Sequence, residues 1–119
     1  MSASTTNQLN DIALALAAVN AYVAKLQTAQ HDAAVAGKMS IVQQLSGPFW
    51  NANLLEEQLV GLRTMTDIDS LNGAIATVKQ TTATLDNQKK QIDAIVKAVG
   101  TAATVISVIT SVVAAVAKL

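Results

Sequence analysis

Leu9, Ile12, Leu16, Val19, Val23 and Leu26 recur at alternating steps of three and four. That spacing lines one stripe of an amphipathic, coiled-coil-like helix with apolar side chains. Ser4, Thr5 or Thr6 stands where a hydroxyl can cap the first orphan N–H groups. The register weakens at Gln30 and Ala33, and Gly37 can take the left-handed conformation that stops a helix. The pattern therefore predicts a long helix over 5–36.

Ser40 is placed to cap a short helix over 40–46, before Gly47-Pro48. Proline lacks a donor and restricts its predecessor, so a break is expected there, with Phe49 and Trp50 on the connection. Leu55, Leu59 and Leu62 then share a face of a helix over 51–65, and Thr66 or Asp67 can cap the next. Ile68, Leu71, Ile75, Val78, Thr82, Leu85, Lys89, Ile92, Val96, Val99, Ala103 and Ile106 keep the three-four spacing without a slip. This favours one long helix over 67–99 against the rival turn at Asp86-Asn87. A single helix continued to the C-terminus would be about 75 Å long, too long for a compact domain of this size. Either the chain bends near Gly100 or the molecule is elongated. A final apolar helix is expected over 101–118, although the Val, Ile and Thr there also suit a strand.

The fold class is all-α: an elongated antiparallel bundle with coiled-coil-like seams and an uncharged C-terminal helix. At 119 residues the chain amounts to one domain. Half of it is hydrophobic, but Ala and Val dominate and three aromatics are present, Tyr22, Phe49 and Trp50. Cores of small residues bury less area each, so the helices must pack closely or share a core between copies. Net charge is zero, against a nucleic-acid binder, which needs a basic face. With no cysteine there are no disulfides, thiol nucleophiles or zinc-thiolate sites. No basic residue precedes the first apolar stretch and Asp11 abuts it, so no signal peptide is expected. The compartment stays open between solution and a membrane surface.

Between Lys97 and Lys118 no residue is charged, so 98–117 is about as long as a helix that crosses a bilayer. On a helical wheel Val99, Val105, Ile106, Ile109, Val112, Val113 and Val116 gather on one face, the candidate membrane or oligomer face. Gly100, Thr104, Ser107, Ser111 and Ala115 lie on the other, a candidate small-residue packing face. A water-facing helix surface normally carries charges, as the preceding helix does with Lys79, Asp86, Lys90, Asp93 and Lys97. The small-residue face is therefore expected to meet another helix, since small-xxx-small spacing lets backbones approach closely. Eight Val and Ile side chains favour insertion by about −2.4 to −4.8 kcal/mol in total. Five Ser/Thr hydroxyls and Gly100 oppose it. The same segment also suits the central helix of a bundle.

Elsewhere the chemistry is structural. His31 beside Asp32 has no nucleophile or further ligand at a useful spacing. Glu56 and Glu57 point to different sides of a helix, and Asp67 and Asp69 suit a first helical turn. Lys89 at a seam position either snorkels or sets register between chains. Phe49 and Trp50 suit a bundle cap or a membrane interface. No catalytic residues, metal site or cofactor are expected, and enzyme activity is disfavoured.

The stretch IDAIVKAVGTAATVISVITSVVAAVAKL (92–119), with the heptads before it, resembles the layout of the α-helical pore-forming cytolysins. That resemblance implies a form that oligomerises and inserts its apolar segment into a membrane. The leading expectation is a non-enzymatic, self-assembling helical protein acting on or in a lipid membrane through 98–117. The alternative is an oligomeric bundle with a structural or adaptor role, the same segment forming a shared core. A partner protein, if any, is not named by the sequence.

Overall fold

The computed structural model describes residues 3–100 and 105–119. Four helices follow one another: α1 Thr6–Val35, α2 Met39–Leu62, α3 Ile68–Lys97 and α4 Ile106–Ala117. No strand occurs among the described residues.

The ends of α1 follow from its sequence. Thr5 Oγ1 accepts from the Gln8 N–H at 3.1 Å, and Gln8 Oε1 accepts from the Thr5 N–H at 2.9 Å, a complete capping box. At the other end Gly37 takes φ +76°. The Lys38 N–H then donates to Ala33 O at 2.8 Å and the Gly37 N–H to Ala34 O at 3.1 Å, the paired bonds of a Schellman stop.

The expected break at Gly47-Pro48 is not there. α2 runs through Pro48 as one 24-residue helix, so the separate helices over 40–46 and 51–65 are corrected to one. Pro48 removes a single i→i−4 bond, the one to the Gln44 carbonyl. Leu45, Ala52, Leu55, Leu59 and Leu62 hold one buried face on both sides of it, and that burial outweighs the lost bond. Phe49 and Trp50 accordingly stand on a helix and not on a connection. Ser40 caps nothing, since the helix starts before it with no side-chain cap bond.

Asp67 caps α3, its carboxylate accepting from the Ser70 N–H at 2.8 Å. That bond holds the Asp67 carboxyl below the usual range. α3 continues through 86–91, without the rival turn. It ends before Gly100, at φ +95°, where the chain reverses. Lys89 pairs with Asp86 of its own helix at 2.8 Å with its side chain partly exposed, the snorkelling arrangement.

Each helix packs against two neighbours: α1 on α2 and α4, α3 on α2 and α4. The result is an antiparallel four-helix bundle of 49 × 19 × 19 Å. Before α1 the chain is tied to the far end of α2, with the Ala3 N–H donating to Met65 O at 2.6 Å and Ser4 Oγ to Leu62 O at 3.1 Å. The deep stripe of α1 is Ile12, Ala15, Val19, Tyr22, Leu26, Ala29 and Ala33. It shares Ile12, Val19 and Leu26 with the seam read from sequence, while Leu9, Leu16 and Val23 are half-buried flanks. α3 buries the expected positions from Leu71 to Val96 except Lys89, which is half-buried, while Ile68, at its first residue, is exposed.

Candidate interaction surface

α4 packs between α1 and α3 with its apolar face inward. Val105, Ile109, Val112 and Val116 are buried, and Val99 is buried just before the turn. Ile106 and Val113 are half-buried at the margins of the same face. Within the chain, then, the apolar face meets the other helices and the small-residue face looks outward: Ser107 and Ser111 are exposed, and Ala115 is half-buried. Gly100 is an exposed turn residue, and Thr104 lies outside the described residues. The hydroxyls of α4 turn back on their own helix, Thr110 Oγ1 donating to Ile106 O at 2.8 Å and Ser111 Oγ to Ser107 O at 3.0 Å. This lowers the polarity they present outward.

A second uncharged surface lies on the adjacent helix, outside the three-four seam of α1. Between Asp11 and Lys25, α1 exposes Ala13, Leu14, Ala17, Asn20, Ala21 and Ala24. Leu14 is 56% exposed. Among the described residues α1 is the helix long and apolar enough to cross a membrane by length and composition, and a third of its most apolar window is buried. Hydropathy averaged over a window marks this surface in the sequence, whereas the seam pattern marks only the inner stripe.

No known protein family, curated protein or solved structure matches this chain. The surface must therefore be read from its own chemistry.

Phe49 is half-buried against the core, whereas Trp50 is 73% exposed. Leu54, one turn further, is also exposed. It borders a cleft of about 210 Å³ between α2 and α3, lined by Pro48, Leu55, Leu85 and Ile92 among others. His31 is exposed and Asp32 half-buried at the end of α1. Among the described residues no group of three or more His, Asp or Glu side chains is placed to hold a metal ion.

Asp93 was assigned to the water-facing side of α3, and this is corrected: it is 3% exposed. One carboxylate oxygen accepts from the Val105 N–H at 3.0 Å, and the other lies 2.9 Å from Lys97 Nζ. Val105, the N-cap residue of α4, makes no side-chain cap bond. Asp93 thus supplies, from α3, the acceptor that a capping residue would have provided, and puts negative charge at the positive end of the α4 dipole. Sequence spacing could not reveal this, because the partner is a backbone amide brought back by the turn.

Proposed function

We propose that this protein acts without catalysis, as a helical module that self-associates through the uncharged outer surfaces of α1 and α4. One observation carries the reading. The two adjacent helices expose Ala13, Ala17, Ala21 and Ala24 on one side and Ser107, Ser111 and Ala114 on the other, with no charge between Asp11 and Lys25 or along α4. α3, by contrast, exposes Lys79, Lys90 and Lys97. Small residues let helix backbones approach closely, and an uncharged face lowers the desolvation cost of packing. The role would be structural or that of an adaptor.

The test is mass in solution at micromolar concentration, by sedimentation or light scattering. The wild-type chain should form a discrete oligomer. Ala17→Glu with Ala21→Glu should give monomers of unchanged helical content, because both positions are exposed. A wild-type monomer would remove the reading.

A second reading, action at a lipid membrane, draws on α1 and on Trp50. α1 has 30 residues, about 45 Å at 1.5 Å each, against a hydrocarbon core of about 30 Å. The 12 residues of α4 reach about 18 Å, short of that span. Insertion through 98–117 would also require α4 to leave the core. A pore-forming role, as the cytolysin resemblance implies, belongs here. Flotation with phosphatidylcholine–phosphatidylglycerol vesicles tests it, with Trp50 fluorescence as the reporter. A blue shift with co-flotation and dye release supports the membrane; an unchanged spectrum with all protein in the soluble fraction rejects it.

A further inference from the structure

α4 is attached differently from the other helices. It has 12 residues, within the range where an isolated helix is only marginal in water, whereas α1, α2 and α3 have 24 or more. Within it three residues are buried, Ile109, Val112 and Val116. It carries no charge, its N-cap residue Val105 makes no side-chain cap bond, and its N-terminus is tied to Asp93 of α3. The Asp93 carboxylate is removed from water and is held by the Val105 N–H and by Lys97, whose side chain is 60% exposed. Beside it, the α3 end is fastened to the α1–α2 turn by Lys38, which donates to Ala98 O at 3.1 Å.

We infer that Asp93 is a latch: α4 is a detachable fourth helix, and loss of the Asp93 carboxylate releases it as a unit while α1–α3 stay folded. Release presents Val105, Ile109, Val112 and Val116 and uncovers the α1–α3 face they cover. This gives the protein a closed form, with its most apolar helix buried, and an open form in which that helix is available to a second copy of the chain. The inference concerns contacts within one chain and is read by amide exchange and not by mass, so its failure and the failure of the self-association reading are distinguishable.

The experiment is residue-resolved hydrogen exchange on the full chain. In the wild type at low denaturant, the amides of Ile109–Ala117 should exchange by an opening distinct from, and easier than, the one that exposes residues 12–33, 45–62 and 71–92. Asp93→Ala should speed exchange in α4 by about 10- to 100-fold, the equivalent of losing one hydrogen bond to a charged group, and leave those other segments unchanged. Asp93→Asn, which keeps an acceptor for the Val105 N–H but not the charge, should fall between. Exchange of wild-type α4 only through global unfolding would overturn the latch. So would an Asp93→Ala variant that loses protection everywhere at once, or one in which α4 is unaffected.

Discussion

The ammonium of Lys38 donates to the carbonyl oxygen of Ala98 at 3.1 Å across 60 residues of sequence. A second bond, to Val99 O at 3.4 Å, shares the same nitrogen. The last carbonyls of a helix have no intrahelical donor, and a cation there also meets the negative end of the dipole. The α1–α2 turn and the α3–α4 turn are thereby joined at one end of the bundle. Lys38→Met should keep the fold and lower stability by about 0.3–1 kcal/mol, with a loss that shrinks as salt is added. Urea unfolding at two ionic strengths checks this. An equal loss at high salt would make the bond a packing effect of the lysine stem.

Pro48 sits in the interior of α2, with the Gln44 carbonyl deprived of its donor. Gly47 beside it adds backbone freedom in the unfolded chain. Pro48→Ala should restore the missing bond and raise the urea midpoint, by about 1–3 kcal/mol in stability. The gain is reduced by the wider unfolded ensemble of alanine. A loss on substitution would show that a bend at Pro48 is what lets Leu45 and Ala52 share one face.

Pro48 also marks what the sequence conveyed and what it did not. The all-α bundle, expected as five helices and found as four, rested on long three-four seams, and those survive in α1 and α3 because the buried stripe and the apolar pattern coincide at Ile12, Val19, Leu26, Leu71, Val78 and Leu85. The deep register at Ala15, Tyr22, Ala29 and Ala33 was harder to see. At the three alanines burial follows from close helix approach, which selects small residues that hydrophobicity ranks below Leu16 and Val23; Tyr22 is instead among the largest buried side chains. Local chemistry at Pro48 signals a break, yet burial on both sides of it decides the outcome. The orientation of α4 depends on the α1–α3 groove, so a wheel separates its two faces without saying which one turns inward. Asp93 reads as one more surface acid until the turn brings Val105 to it.

Tyr22 is fully buried, and among the described residues its hydroxyl has no hydrogen-bond partner. Burial disfavours the phenolate and pushes the Tyr22 pKa well above its ordinary value of about 10. A group whose pKa is higher in the folded state than in the unfolded one holds its proton more tightly when folded. Its contribution is complete below pH about 10 and is lost as pH rises towards the folded value. Tyr22→Phe should therefore gain about 1 kcal/mol at neutral pH by removing an unpaired buried hydroxyl. Above pH about 10 its advantage over wild type should widen by about 1.4 kcal/mol per pH unit. Denaturant unfolding at pH 7, 10 and 11 checks both. A constant difference across that range would place the Tyr22 hydroxyl in contact with water.

A detachable α4 also limits how much damage within it can cost. Ile109 and Val116 are seven residues apart and both are buried, about 10 Å along the helix. At that separation independent losses ordinarily add within about 0.5 kcal/mol. In α1, Val19 and Leu26 have the same separation and the same burial. Val19→Ala with Leu26→Ala should therefore cost close to the sum of the single variants, several kcal/mol by the usual large-to-small penalties. Ile109→Ala with Val116→Ala should cost clearly less than its sum, because once α4 has left the groove a second lesion removes no further contact. The loss then stops at the docking free energy of α4, and the remaining three-helix bundle unfolds in a separate, unaffected transition. Additivity in α4 equal to that in α1, measured by denaturant unfolding of the two double-variant cycles, would mean that all four helices melt as one cooperative unit.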